Sequence, residues 1–269
     1  MSETATKTDN LKSVKELIAE TPNFDNTETF EKLRAIQQKL WAKITNRFPD
    51  LKMSEATRQF QPYQSLDGSA SGELAGYTSE EIEWAVCSWV GNPKLSFCNM
   101  HITIWMKEHT YLPHLAFACG TFPVFFSLLD YIPRVEPVVH PEYMKKYLAP
   151  SNERYLQMQN DKRFMPFISQ SAFVRFAVSA IGMNFISPPN TEGTVEKFDE
   201  LANEHFDRWQ DWSKIPDVVP PEKRAEIAAR DLAIRRNTAE LDPANALVEK
   251  IYGKELTDAL VTGLWGGDR

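Results

Sequence analysis

The sequence lacks several features that would assign it to a common functional class. It contains no run of eighteen apolar residues, so no transmembrane helix is expected. Its net charge of −7 argues against a nucleic-acid partner, which requires a clustered basic face. Neither G-x-G-x-x-G nor G-x-x-x-x-G-K-[ST] occurs, so no dinucleotide or nucleoside triphosphate site is recognisable. Electrons for any redox reaction would therefore come from outside the chain.

Cysteine is scarce. The three cysteines, Cys87, Cys98 and Cys119, have neither C-x-x-C nor Cys/His metal spacing and lie in apolar, strand-like runs. These positions favour buried thiols over disulfides or a zinc site, and they exclude a cysteine-ligated iron–sulfur cluster. We therefore expect neither a bound metal nor a bound cofactor.

A secretory or transit leader is also not recognisable, because the first residues, MSETATKTDN, lack an apolar core and Arg-rich amphipathicity. We expect a cytoplasmic protein without membrane contact. The 42% hydrophobic content supports a large core, and no linker-like stretch divides the chain. The prediction is a flexible segment over residues 1–25 and a single domain over residues 26–269, with homodimerisation left open.

Hydrophobic periodicity divides the chain into three parts. A helical pattern is followed by short β-rich runs, which predict about five antiparallel strands, and then by further helical patterns. This order predicts an α+β fold, with a central antiparallel β-sheet sandwiched between α-helices. The predicted helices cover residues 26–48, 141–159, 169–184, 194–214, 220–241 and 243–264, and the predicted strands lie within residues 61–131.

One predicted strand combines ring-bearing and polar side chains on a single face. Alternation places Asn99, His101, Thr103 and Trp105 on the same side of the run FCNMHITIWMK, and an apolar set on the other. Such a face would suit a flat, polar-aromatic ligand, because rings can stack on it while polar groups orient them. The alternative is a solvated sheet face on which His101 has no function.

Other candidate residues follow this strand. His109 and Tyr111 lie in the next connection, where a titratable ring could reach a pocket mouth, and His114 follows them. The histidine spacings of eight and five do not match a short metal motif. Arg175 lies among apolar residues, and a guanidinium on a mostly buried helix needs an anionic partner from the protein or from a substrate.

Two further polar residues have structural interpretations. Asp130 follows an apolar strand immediately before a turn, so its carboxylate is predicted to cap backbone amides. His205 lies on an apolar helical stripe, which predicts a packed, hydrogen-bonded histidine.

The runs HITIWMKEHTYLP, LDYIP, FISQSAFVRF and DPANALVEKIYGKELTDALVTGLWGG occur in this order between Gly91 and Gly267. Together they resemble segments of the ferredoxin-dependent bilin reductases and their relative, red chlorophyll catabolite reductase. The resemblance implies an antiparallel sheet sandwiched by helices. It also implies a proton-supplying histidine twelve residues before a proline, here His101 before Pro113. The proton-donating aspartate of the bilin enzymes, five residues after that proline, is replaced by Ala118, and the chlorophyll catabolite branch also lacks an aspartate there.

The resemblance implies a reductase of an open-chain tetrapyrrole, with no bound cofactor and with reduced ferredoxin as electron donor. His101 would supply protons, with His109 as a second candidate, and Arg175 or His114 would bind propionate groups. The alternative is a cofactor-free lyase or decarboxylase that acts on a bulky aromatic acid in the same pocket. General acid–base catalysis would suffice for that reaction. A third interpretation, a non-catalytic pigment-binding protein, would tolerate loss of His101.

Overall fold

The computed structural model of the protein describes Glu16 and residues 19–267. Within them, nine strands form one antiparallel sheet in the order β1-β3-β4-β5-β6-β7-β9-β8, with β2 paired to β3. The strands are β1 Lys52–Met53, β2 Tyr63–Gln64, β3 Ser71–Thr78, β4 Ile82–Asn92, β5 Phe97–Met106, β6 His114–Phe122, β7 Val124–Ile132, β8 Met165–Pro166 and β9 Met183–Ser187.

Helices flank the sheet, which confirms the predicted α+β sandwich. A helical stretch over residues 141–148 precedes the second helix. Within the described residues, no helix is long and apolar enough to cross a membrane. The helices are α1 Thr27–Arg47, α2 Ala149–Asn160, α3 Ala172–Ala177, α4 Thr194–Lys214, α5 Pro221–Leu241, α6 Asn245–Tyr252 and α7 Lys254–Trp265.

We call the side of the sheet that carries Met100 and Ile102 of β5 the first face, and the side that carries Asn99 and His101 the second face. The first face carries the main core. Helices α1 and α4 pack against it. Their buried residues recur every three or four positions and therefore lie on one side of each helix. Each fully buried Leu or Ile contributes roughly 1.5–3 kcal/mol relative to exposure. Core members from the helices and from β5 are Leu33, Ile36, Leu40, Ile44, Phe198, Leu201, Phe206, Cys98, Met100, Ile102 and Ile104.

The second face is covered at one end. There Trp84 and Trp105 pack with Ile234 of α5 and Trp265 of α7. The indole N–H of Trp84 also donates to the carbonyl of Gly263 at 3.1 Å. We call this region the closed end. It holds the C-terminal helices against the sheet.

Two predicted helices are wrong in extent. The pattern over residues 169–184 gives only the short α3, after which the chain turns and pairs with β7 as β9. Its apolar run fits a strand as well as a helix, and sheet pairing decides between them. The predicted helix over residues 243–264 is divided into α6 and α7 at Gly253, whose φ of +75° ends a helix at low cost only for glycine. The predicted flexible segment over residues 1–25 lies mostly outside the described residues.

Candidate active site

Strand register aligns the candidate residues of β5 with residues of four other strands. In an antiparallel sheet, directly opposed residues share a face. His101 therefore belongs to a row on the second face, and Asp130 belongs to the adjacent row, one step nearer the closed end. The His101 row is Ser88, His101, Ala118, Leu128 and Asn184, and the Asp130 row is Val86, Thr103, Ala116 and Asp130.

Away from the closed end, the second face is shallow and partly exposed. Its floor is made of small residues, Ala116, Ala118 and Gly120, on the strand next to β5. The half-exposed His101 and Leu128 stand on either side of this floor. We call this region the open end. It has the flatness and apolar character of a surface that binds a planar conjugated ligand.

The backbone of His101 is anchored by a hydrogen bond, whereas its ring has no hydrogen-bond partner among the described residues. The side-chain amide of Gln37 on α1 donates to the carbonyls of Ser88 at 2.6 Å and of His101 at 3.0 Å. Within the described residues, no protein group forms a hydrogen bond with the His101 ring. Burial lowers its pKa to about 4, so the imidazole is neutral near pH 7. The fixed backbone and the unused ring nitrogens suit a group that exchanges a proton with a ligand.

Asn99 shows the same unused capacity. It is half-exposed, two residues from His101 and on the same face. Its Oδ1 atom is buried, and no donor among the described residues reaches it. A buried acceptor without a partner is costly. Because this atom has no exposed surface, a ligand N–H over the open end reaches it only after the Asn99 side chain rotates.

Trp105 and Thr103 lie differently from the prediction. Trp105 is 1% exposed and is packed under α7, so it is not an open wall for stacking a ligand. Its ring lies 4.5 Å from that of His114, centroid to centroid. Thr103 is buried between the two ends of the face.

His114 is part of a buried polar network. Its Nδ1 accepts the Met106 N–H at 2.9 Å, and its Nε2 lies 3.1 Å from Asp231 Oδ1. Arg134 donates to Asp231 Oδ2 from Nε at 3.0 Å and from Nη2 at 2.6 Å. The His114 side chain is fully buried, so it cannot reach a substrate while α5 is in place. The predicted substrate-binding role of His114 is therefore corrected to a structural one.

The charges of this network fit its burial. Burial lowers the pKa of His114 to about 4, although Asp231 opposes the shift. Burial alone would raise the pKa of Asp231, but His114 and Arg134 lower it to about 2. The carboxylate is thus ionised and paired with Arg134, and the imidazole is neutral.

His109 and Tyr111 lie in the loop beyond the end of β5. The His109 carbonyl accepts the Val219 N–H at 2.9 Å, and the Tyr111 N–H donates to Asp217 at 2.7 Å. The strand rise of about 3.3 Å per residue places the Cα atoms of His101 and Met106 roughly 16 Å apart. His109 lies further along the chain, so the structure does not bring it to His101.

A cleft of about 1200 Å³ lies at the β7–β9 side of the sheet. We call it the edge cleft. Asn184 lines it and is also the last member of the His101 row, so the open end and the cleft adjoin. Its wall includes Ser179 and Gly182, and its rim includes Arg175 and Phe176. Phe176 is 93% exposed, which leaves a large apolar ring available to a ligand.

Arg175 is exposed, contrary to the predicted mostly buried helix. Its Nη1 donates to the carbonyls of Ser169 at 2.8 Å and Gln170 at 3.1 Å. Among the described residues, no carboxylate forms an ion pair with it. The guanidinium therefore faces the cleft with capacity for an anionic group.

Asp130 and His205 occupy the places predicted for them. Asp130 is 2% exposed, and its Oδ2 accepts the Ser179 N–H at 2.8 Å while its Oδ1 accepts the Ser179 hydroxyl. This confirms the capping role. His205 is buried and stacks on Tyr131 with 3.9 Å between ring centroids, which confirms the packed histidine. The role of Gln37 was missed, because nothing local in the sequence marks a glutamine that reaches two strands.

Comparison with known proteins gives three related results. The sequence profile of red chlorophyll catabolite reductase matches residues 32–265. Red chlorophyll catabolite reductase 1, chloroplastic, of Oryza sativa subsp. japonica is 25% identical over 172 residues, 60% of this chain and 52% of that protein. The red chlorophyll catabolite reductase of Hordeum vulgare is 25% identical over 171 residues, 58% of this chain and 82% of that protein. The chain thus spans about half the length of the rice relative.

Among solved structures, phytochromobilin synthase from tomato in complex with biliverdin superposes with a TM-score of 0.73. The match covers 87% of this chain and 83% of that chain, at 13% sequence identity. At this identity the match establishes the shared fold.

Proposed function

Because the chain belongs to the red chlorophyll catabolite reductase family, we propose that it reduces an open-chain tetrapyrrole bound over the open end of the sheet. The observation that carries the proposal is the continuity of the His101 row with the edge cleft through Asn184. A flat, conjugated pigment would lie on the floor of Ala116, Ala118 and Gly120. The comparisons give no support to a cofactor-free lyase.

Three polar contacts orient the pigment in this proposal. After a rotation of its side chain, the unpartnered Asn99 Oδ1 accepts a pyrrole N–H. The Arg175 guanidinium at the cleft rim binds a propionate as a charge-assisted pair. Leu128 and Phe176 cover apolar ring edges. His109, Tyr111 and Trp105 have no contact with the pigment in this arrangement.

His101 supplies a proton in this proposal. Each electron added to a conjugated tetrapyrrole raises its basicity, so a proton must follow from a positioned group. The neutral imidazole donates its N–H proton to the reduced pigment while its other ring nitrogen takes a proton from solvent in the cleft, so that no imidazolate forms. The hydrogen bond from the Gln37 side chain to the His101 carbonyl positions the backbone that carries the ring.

The electrons come from an external carrier of the ferredoxin type, as the resemblance implies. The chain carries a net charge of −7, so docking of an acidic carrier would need a local cationic surface. Such steering weakens with salt. We therefore expect the rate of electron delivery to fall as ionic strength rises.

The test is an anaerobic absorbance titration of the purified protein with biliverdin and with red chlorophyll catabolite, followed by reduced ferredoxin. We expect binding, and then bleaching or a shift of the visible band. In His101→Gln, binding should persist while the reduction rate falls about 100-fold or more, the usual range for a general acid–base group. Replacing the exposed His140 by Gln is the matched control and should leave the rate unchanged. Absence of binding to both pigments would reject the proposed function.

A further inference from the structure

A two-electron reduction of a tetrapyrrole double bond consumes two protons, and His101 carries one exchangeable N–H in its neutral form. A second donor near the same ligand would supply the other proton without a second protonation of His101 from solvent. Among the described residues on the second face of β4 to β7 and β9, Asp130 is the one carboxyl group. The inference that follows rests on the proposed function.

The position of Asp130 suits a ligand that also touches His101. The two residues are two strands apart and two positions apart along the strand direction, which corresponds to roughly 12 Å between Cα atoms. Ala116 and Ala118 occupy the space between them. Because neither alanine projects far from the sheet, one flat conjugated molecule can span the distance from His101 to the wall above Asp130.

The Asp130 carboxyl does not open directly into the cleft. Gly182 covers it so closely that a Cβ there would lie 3.0 Å from Asp130 Cγ and 2.7 Å from Val178 Cγ1. Ser179 is different. It lines the cleft, and both its backbone N–H and its hydroxyl donate to the carboxylate. The hydroxyl therefore lies between a water-excluded acid and the ligand space.

We propose that Asp130 and Ser179 form a two-residue proton relay that delivers the second proton to the pigment. With Asp130 protonated, its O–H bond points to Ser179 Oγ, and the Ser179 hydroxyl hydrogen points into the cleft. After the external carrier has delivered an electron, the Ser179 O–H bond breaks and a bond from that hydrogen to the reduced pigment forms. The Asp130 proton then replaces it on Ser179 Oγ.

The relay is balanced. Ser179 ends unchanged, Asp130 ends as a carboxylate, and the pigment gains one proton for the electron it received. The carboxylate is stabilised by the Ser179 N–H at 2.8 Å. After product release, cleft water returns a proton by the same route. Asp130 acts through Ser179 and is therefore a positioning residue, whereas Ser179 touches the substrate.

The environment of the acid supports this role. Burial raises the pKa of Asp130, although its hydrogen bonds with Ser179 oppose the shift. A raised pKa increases the fraction of the acid that still holds a proton. A carboxylate that only capped the turn over residues 179–182 would need no such proton.

The test compares Ser179→Ala, Ser179→Thr and Asp130→Asn in the full-length protein with biliverdin and reduced ferredoxin under anaerobic conditions. The readouts are pigment Kd, kcat, the lifetime of the half-reduced pigment radical and the solvent deuterium isotope effect. We expect Ser179→Ala and Asp130→Asn to lower kcat about 100-fold, prolong the radical and leave Kd within about twofold. Ser179→Thr retains a hydroxyl and should recover most of the rate. Thr191→Ala removes a hydroxyl that donates to the Pro188 carbonyl outside the cleft and serves as control.

Each outcome decides the matter. If the wild type reduces biliverdin and Ser179→Ala keeps its kcat, the relay is rejected and the proposed function stands. If the variants weaken pigment binding or stability without prolonging the radical, the pair is a structural cap and the relay is rejected. If the wild type neither binds nor reduces a tetrapyrrole, the proposed function fails and the relay fails with it. Should Asp130→Asn not fold, the two Ser179 variants decide alone.

Discussion

His101 and His114 lie on the same face of the sheet, at its open end and its closed end, and burial lowers the pKa of both side chains to about 4. Their hydrogen bonding differs completely. His114 is fully buried, with one ring nitrogen on the Met106 N–H and the other against Asp231. Within the described residues, the ring of His101 has no protein partner.

This difference shows that a lowered pKa does not by itself identify a functional histidine. At the closed end, His114 Nδ1 accepts the Met106 N–H and Nε2 lies 3.1 Å from Asp231 Oδ1, so the histidine ties α5 to the sheet. At the open end, the hydrogen-bonding capacity of His101 and of Asn99 Oδ1 is unused. A ligand binds where the protein leaves polar groups available and apolar surface flat.

The largest effect on stability is expected from removing the Arg134 guanidinium, which pairs with Asp231 at the closed end. Arg134→Met removes both N–H donors of Asp231 Oδ2, and breaking a buried pair in this way costs about 3–5 kcal/mol. The free energy of unfolding from urea denaturation should fall by that amount. Arg58→Met removes an exposed pair with Glu55 and should cost less than about 0.5 kcal/mol. A loss below about 1 kcal/mol for Arg134→Met would contradict the assigned role of the network.

At the open end a change in pigment binding is expected. Ala118→Leu adds three carbons to the floor on which the pigment is proposed to lie. The Kd for biliverdin should rise at least tenfold, equivalent to about 1.4 kcal/mol. Ala118 is 8% exposed, so the added carbons also crowd its neighbours, and the free energy of unfolding should fall by about 1–3 kcal/mol. Ala225→Leu, on the exposed side of α5, is the matched control. Unchanged pigment affinity in Ala118→Leu would place the ligand elsewhere.

Much of the fold follows from local patterns in the sequence. The alternation in β5 correctly separates a core face from a mixed face, and the stripes of α1 and α4 are visible as helical periodicity. The helix predicted over residues 169–184 failed for a reason that lies outside local sequence. The run from Ser169 to Asn184 is apolar enough for either secondary structure, and its pairing with β7 is a long-range contact that no local pattern encodes.

The candidate site was predictable at His101 and Asn99, because strand alternation alone places them together. Trp105 and His114 belong to the same face, but the helices that bury them come more than a hundred residues later in the chain. Arg175 was expected to be buried because its neighbours are apolar. The structure instead exposes Phe176 beside it, and an apolar residue left in water is informative only when the whole surface is known.

The smallest expected effect is on the pH dependence of stability. In the folded state the pKa of His114 is about 4, below the value of about 6.5 for an unfolded histidine. The contribution of neutral His114 to the free energy of unfolding is therefore fully present above pH 6.5. It is lost as the pH falls towards 4, because the unfolded state binds a proton that the folded state does not. Urea denaturation between pH 6.5 and 5 should show that His114→Gln reduces the loss of stability per pH unit by about 1 kcal/mol relative to wild type. Burial also lowers the pKa of His101 to about 4, so His101→Gln should reduce this slope by a similar amount. A His114→Gln variant whose stability falls with pH as steeply as that of the wild type would contradict the lowered pKa of the buried imidazole.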